Sequence, residues 1–260
     1  MIIVKLLKDL YQYRELLKTN IKKEIRGKYK GAWLGVIWSY LNPLLMLLVY
    51  SMVFSKIMKI QIPNYTMFLF TALIPWNFFV TTVSQGSLSV VTNGNIIKKV
   101  YFPREVIPIS VVTSNAVNFL ISCLIMLFFL FATGLGVSKY ILLFPLVLFS
   151  QYILLLGITF ITSSLTVYAR DLEHIISVLL LVMFYGTPIV YSMEMVPASM
   201  RQFLALNPMT PIINAYRDIL FYQKMPDIST LGMIIGISIV VFGFGLIIFR
   251  KLQKNFAEEL

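Results

Sequence analysis

Six stretches of this chain contain no Asp, Glu, Lys, Arg or His, and each is apolar and long enough to reach across a lipid bilayer: about 34–55, 66–91, 106–133, 140–168, 175–191 and 231–249. A bilayer core of roughly 30 Å is crossed by about 20 apolar residues in a helix, within a range of roughly 17–25. Hydrocarbon offers no partner to a bare peptide group, so runs of this length cross as helices, whose backbone bonds are internal. The sequence therefore predicts an all-α, polytopic membrane protein with six transmembrane helices in one domain over residues 1–260. With 58% hydrophobic and only 13% charged residues, the chain has too little polar surface for a soluble domain of its size. The second, third and fourth runs exceed what a bilayer needs and are expected to tilt or to project from it.

The charges that the runs exclude gather between them. Lys and Arg number 22 against 11 Asp and Glu, and the surplus crowds into the first thirty residues and the short segments flanking the runs. Basic clusters beside apolar spans mark the cytoplasmic face, and a start on that face puts sixteen cations inside against six outside. Both termini are thereby expected in the cytoplasm, and nucleic acid is excluded as the partner of the positive charge. The start does not read as a secretory signal, because its charges are interspersed instead of preceding one apolar core. It also lacks the glycine that myristoylation requires.

Leu6, Leu10, Tyr13, Leu17, Ile21 and Ile25 recur every three or four residues, with Lys8, Arg14, Lys18 and Lys22 turned away from them. This stripe predicts an amphipathic helix over residues 1–32 lying in the inner headgroup layer, either as an anchor or as a lever touching a cytoplasmic partner. Between the fifth and sixth runs, Val196–Leu206 and Pro211–Phe221 each read as a short helix, divided at Asn207-Pro208, with Thr210 a good start before Pro211. Neither is long enough to span, and both are too apolar for a free outer loop. They predict a re-entrant helical hairpin over residues 196–221, sheltered by protein from lipid; a loop lying on the lipid surface is the alternative.

The segment Asn93–Pro108 interrupts two charge-free runs with Lys98, Lys99, Arg104, the proline Pro103 and a Tyr101-Phe102 pair expected to be exposed. That mixture suits docking onto another protein better than chemistry. A second short turn, Tyr168–His174, carries Arg170-Asp171, read either as a local ion pair worth under about 1 kcal/mol or as a fixed turn for a partner.

No catalytic residue is expected. Proton- and cation-coupled carriers generally need ionisable groups at membrane depth, and an intramembrane enzyme needs an acid, a base or a metal ligand there; the six runs hold none. Cys123 and His174 are each the only residue of their type, so neither a disulfide within the chain nor a metal site is expected. Gly27-Lys28 is followed by Tyr29, which rules out a phosphate-binding loop at the one Gly-Lys pair. Energy for active transport would have to come from a separate ATPase. Aromatic residues fall within the runs, among them Trp38, Tyr40, Tyr50 and Phe54, then Trp76, Phe78 and Phe79, then Phe184, Tyr185 and Tyr191. They either line a path on which sugar rings stack or face lipid; Tyr40 and Phe54 share one helical face. Gly232, Gly236 and Gly243 share a face of the last run, for close packing within the chain or for a dimer seam.

Four stretches lie in order along nearly the whole chain: Arg26–Gly35 leading to Asn42-Pro43; Ile97–Pro108; Ala169–Leu172; and Thr187-Pro188 followed by Leu206–Pro208. Together they resemble the permease subunit of type-2 ATP-binding-cassette exporters, in the branch that exports O-antigen polysaccharide or teichoic acid. The resemblance implies a homodimer in the bacterial cytoplasmic membrane, joined by two cytoplasmic ATPase subunits that bind ATP and Mg; no cofactor is expected in this chain itself. It implies a lipid-linked polysaccharide as substrate. It implies that Ile97, Lys98, Lys99, Val100, Tyr101, Phe102, Pro103, Arg104 and Glu105 couple to the ATPase, beside the turn at Arg170 and Asp171. Trp38, Tyr40, Tyr50, Phe54, Phe184, Tyr185 and Tyr191 become candidates for a channel lining, and Pro197, Asn207, Pro208 and Pro211 for outer gate helices. The short segment Ile57–Tyr65 leaves no room for the larger outer domain that drug exporters of this class often carry. Competing expectations are an ATP-independent lipid flippase or carrier, an exporter of a non-polysaccharide substrate, and a membrane scaffold that recruits an enzyme through the basic segment.

Overall fold

A computed structural model describes residues 2–27, 31, 33, 35–57 and 62–260. All regular elements among them are helical: α1 (Ile2–Gln12), α2 (Arg14–Gly27), α3 (Trp38–Ser51), α4 (Tyr65–Thr92), α5 (Gly94–Lys99), α6 (Val106–Ala132), α7 (Phe144–Tyr168), α8 (Leu172–Tyr185), α9 (Ala198–Ala205), α10 (Met209–Leu220), α11 (Ile228–Leu252) and α12 (Phe256–Glu259). Four stretches are helical, long and apolar enough to cross a membrane: Tyr65–Lys99, Val106–Ala132, Lys139–Tyr168 and Ile228–Glu259. They carry the second, third, fourth and sixth expected spans.

The first and fifth expected spans are shorter. α3 and α8 have 14 residues each, which at 1.5 Å per residue is about 21 Å. A 3-10 turn over Gly35–Ile37 precedes α3, and a wider π-helical stretch over Met52–Ile57 follows it. The span expected at 175–191 is corrected to a helix that stops at Tyr185, followed by an irregular segment from Gly186 to Ser192. Pro188 supplies no N–H to continue the helix, and it biases Thr187 towards extended backbone. The single amphipathic helix expected at the start is two, α1 and α2, broken at Tyr13. Its apolar stripe faces the bundle: Leu6 is buried and Leu10, Tyr13 and Leu17 pack on the core, while Lys8, Arg14, Lys18 and Lys22 are exposed.

α4 is the central pillar, buried along most of its length, with α3, α6, α7, α8 and α10 packed around it. Its midpoint is tied to two neighbours by a buried polar chain: Tyr216 Oη donates to Gln151 Oε1 at 3.0 Å, and Gln151 Nε2 donates to the Pro75 carbonyl at 2.8 Å. α7 and α11 approach most closely where two glycines meet. A Cβ on Gly157 would lie 2.6 Å from backbone atoms of Val241 and Phe242, and one on Gly245 would lie 3.0 Å from the Gly157 Cα. The glycines picked out in the sequence for close packing are on the wrong face for that role within the chain. Gly232, Gly236 and Gly243 have nothing within 4 Å of a built Cβ. The face of α11 that meets the core carries Ile234, Ser238, Gly245 and Phe249 instead.

Candidate functional site

The helices end in two polar assemblies, one at each end of the bundle. At the first, α4 closes on Asn93, whose side-chain amide donates to the Ser89 carbonyl at 2.9 Å and whose Oδ1 accepts from Lys23 Nζ of α2 at 2.9 Å. α5 then turns away, seating Gly94 against Leu260 and burying Ile97. Val100 is extended, and the elbow returns into α6. The outward edge of this elbow consists of Ile96, Lys98, Lys99, Val100 and Tyr101, the last 95% exposed. Phe102, expected to share that exposure, is 7% exposed and packs in the core.

Glu105 and Arg104 do not belong to the exposed edge. Glu105 is buried, accepting from Arg250 Nε at 3.0 Å and from Gln253 Nε2 at 3.4 Å. Arg104 donates to the Gln253 carbonyl and lies over the ring of Phe256, 5.9 Å from its centroid. Phe256 is fully buried against Phe249, and Tyr168 Oη donates to the Leu252 carbonyl at 2.9 Å. The end of α11 thus grips the base of the elbow from behind. A cleft of about 490 Å³ opens here between α1, the elbow and α11, lined by Lys5, Asp9, Tyr101, Glu105 and Lys254 among others. Arg170 and Asp171 sit nearby at the start of α8, both exposed, and no ion pair joins them among the described residues. The turn is made by the backbone, with Leu172 N donating to Ala169 O at 3.1 Å and His174 N to Asp171 O at 3.1 Å. The local salt bridge entertained from the sequence is therefore replaced by an exposed, backbone-closed turn.

At the second end, Arg217 is the organising residue, and sequence reasoning counted it only as an outer charge. It is 2% exposed, stacked over Phe68 at 3.6 Å from the ring centroid. Its guanidinium donates to the carbonyls of Pro188 and Ile189, to Tyr191 O at 3.3 Å and to Phe68 O at 3.4 Å. Tyr65 Oη donates to the remaining carbonyl of that run, Val190 O, at 2.8 Å. The irregular segment after α8 has lost its helical bonds, and these donors replace them, as buried backbone requires. The planar fork of arginine serves several carbonyls at once, where a lysine would act as a point charge. The one sequence signal was its position: Arg217 lies on the apolar stripe of α10 with Ile213 and Leu220, one turn to either side.

The four gate candidates divide. Asn207 pins the hairpin to the break, donating to Gly186 O at 3.2 Å and Thr187 Oγ1 at 2.7 Å while accepting from Met209 N at 2.9 Å. Pro208 precedes α10 and Pro211 is buried in its first turn, whereas Pro197 is exposed ahead of α9. α10 is buried along nearly its whole length and α9 has no buried residue. The aromatic candidates also divide. Tyr50 stacks on Phe184 at 5.6 Å and lies 6.2 Å from Phe54; Phe184 meets Tyr185 at 5.3 Å, and Tyr191 Oη donates to Tyr185 O at 2.8 Å. These five join α3 to α8, with Tyr185 65% exposed. Trp38 stands apart on another cleft, and the side chain of Tyr40 lies outside the described residues.

Residues 15–221, from α2 through α10, match the family described as ABC-2 type transporter. The chain belongs to that family. It is 35% identical over 259 residues to the O-antigen export system permease protein RfbA of Myxococcus xanthus, covering 99% of this chain and 100% of the relative. It is 36% identical over 247 residues to the protein of the same description from Klebsiella pneumoniae, covering 95% of each. The part matched to the ABC-2 family contains the elbow, the Arg170-Asp171 turn and Arg217; Arg250 and Phe256, which hold the elbow from behind, lie beyond it.

Proposed function

We propose that this chain is the permease subunit of an ATP-driven exporter that moves a lipid-linked polysaccharide across the bacterial cytoplasmic membrane. The observation that carries this reading is the 35–36% identity, over nearly the full length, to relatives described as O-antigen export permeases. A hydroxyl-rich chain cannot cross bare hydrocarbon, because each unpaired polar group costs several kcal/mol there. A path between two copies of this chain removes that cost, and the aromatic cluster joining α3 to α8 is suited to line it. In this reading both termini are cytoplasmic, α3 and α8 complete a set of six spans, α1 and α2 lie at the inner interface, and α9 and α10 are re-entrant gate helices. O-antigen is the favoured cargo over teichoic acid, on the description of the relatives.

Two ATPase subunits, which bind the ATP and Mg, dock on the outward edge of the elbow. Ile96, Val100 and Tyr101 supply apolar contact, and Lys98 and Lys99 supply charge. Because the elbow joins α4 directly to α6, a push there tilts two spans together. The Glu105–Arg250 pair passes the same displacement to α11. Phe102, Pro103 and Arg104 form the mount, and Arg170-Asp171 is an accessory contact.

The test is the double reversal Lys98→Glu with Lys99→Glu, read out as ATP hydrolysis by the complex and polysaccharide at the cell surface. Export is expected to fall about ten-fold or more through lost charge complementarity, with the chain still present in the membrane. Unchanged export would remove the elbow from the coupling path. Deleting the chain without loss of surface polysaccharide would remove the function itself.

A further inference from the structure

A second cleft, of about 470 Å³, lies between α3, α4 and α6, and its chemistry is unlike the rest of the spans. Asn77, Thr81 and Gln85 stand one turn apart on α4, and Asn118 and Ser122 face them from α6, with Asn42 and Trp38 of α3 at the rim. Asn77 and Asn118 are each 12 residues from the start of helices of 28 and 27 residues. That places both about 18 Å from one helix end, near mid-membrane depth. Among the described residues the side chains of Asn42, Asn77, Thr81 and Asn118 make no hydrogen bond, and all four are exposed or half-buried. Gln85 accepts from Asn115 Nδ2 at 3.2 Å.

Unpaired amides at this depth cost free energy against lipid, so the cleft requires an occupant that forms hydrogen bonds. The occupant is neutral, because the lining holds no charged side chain; a phosphate would lack a counter-ion. Amides and hydroxyls present donors and acceptors together, which matches a chain of sugar hydroxyls, each itself donor and acceptor. Trp38, 41% exposed, adds an aromatic face beside them, while Phe78 and Phe119 are buried and stacked on each other at 5.0 Å. The volume falls within the roughly 300–1,000 Å³ of ordinary ligand sites.

We propose that the cleft between α3, α4 and α6 binds the neutral, hydroxyl-rich part of the exported glycan, through amide side chains instead of charge. The proposal rests on the exporter reading above and adds a site to it.

The test uses the full chain with its ATPase in cells, carrying Cys123→Ala to remove the native thiol and either Thr81→Cys or Asn118→Cys. The probe is a membrane-impermeant, water-soluble thiosulfonate reagent applied to inverted membrane vesicles. Vesicles come from cells that make the glycan but carry a hydrolysis-deficient ATPase, and from cells blocked in glycan synthesis. Labelling in the blocked cells, lost when glycan accumulates, is the expected result at either position. Three results overturn the proposal: no labelling in either state, equal labelling in both (a hydrated cleft only), or an Asn118→Cys disulfide between two copies, which makes the cleft a subunit contact. Independently, Asn77→Leu with Asn118→Leu is expected to lower surface glycan about ten-fold at equal membrane abundance, two lost polar contacts each being worth a few-fold; undiminished export overturns the proposal. Normal surface glycan in cells lacking the chain would instead defeat the exporter reading, so the two failures are distinct.

Discussion

The two ends of the bundle are both fastened by arginine, and they are fastened differently. At the elbow, Arg250 meets a carboxylate, Glu105, on another helix, with side chains 19% and 7% exposed. At the opposite end Arg217 meets no carboxylate among the described residues; its partners are the backbone carbonyls of a helix that has stopped. The first fastening joins the start of α6 to the end of α11 through side chains alone. The second makes an irregular segment possible, because it satisfies buried peptide groups that no helix partner reaches. A side-chain pair can be exchanged for another of the same geometry, whereas a backbone clamp has no partner to exchange.

That difference gives an order of effects. Arg217→Leu leaves several buried carbonyls without donors and is expected to destabilise the chain by at least about 3 kcal/mol, the sum of several unsatisfied groups. Arg217→Lys recovers little, since one ammonium cannot reach all four. Thermal unfolding in detergent and membrane abundance measure both, and a fully active lysine variant would show that charge alone holds the segment. At the other end, Glu105→Gln or Arg250→Met is expected to cost about 2–4 kcal/mol, towards the lower part of the range for breaking a buried pair because Arg250 keeps some solvent contact. The exchange Glu105→Arg with Arg250→Glu should return a sizeable part of that loss in a double-mutant cycle. No recovery would break the comparison, making the elbow as dependent on its backbone contacts as the opposite end.

Between the ends, Gly245→Val drives a side chain into the Gly157 backbone and is expected to cost about 1–3 kcal/mol or more by overpacking. Gly236→Val meets nothing within 4 Å and should leave the stability of the isolated chain unchanged, so a loss of export from it would report a neighbour outside the chain. The smallest effect is at Asp227, which caps α11 by accepting from Thr230 N at 3.1 Å and Thr230 Oγ1 at 3.0 Å. The Ser229 hydroxyl first, and the Thr230 amide next, hold its carboxyl below the ordinary value of 3.8. The cap therefore contributes fully above that value and fades as pH falls through and below it. Asp227→Ala should remove that acid-side part of the pH dependence of unfolding, and an unchanged profile would mean the cap carries no stability.

Periodicity and charge exclusion, which survive any arrangement of the helices, were legible from the residues alone. The second and third spans end within one residue of the observed α4 and α6. The basic elbow, the break at Asn207-Pro208 and the lone turn at Arg170 were equally visible, since each is a local departure from an apolar run. Long-range partnerships were not. Glu105 and Arg250 are 145 positions apart, and nothing in either neighbourhood names the other. Arg217 read as one more flanking charge because snorkelling to the interface is the common fate of such a residue. The glycines of the last span were chosen by spacing alone, and spacing marks a face without saying which neighbour that face meets.

By itself, then, the chain determined which stretches exclude charge and suit lipid, and where they must be interrupted. These follow from the cost of placing charge and bare backbone in hydrocarbon, which depends on local composition. Only the tertiary structure decided that Phe102 turns in while Tyr101 turns out, that the helix expected as a fifth span stops at Tyr185, and that one arginine holds the chain beyond it. Those outcomes depend on which donors reach which acceptors across the bundle, and that is a property of helices already packed.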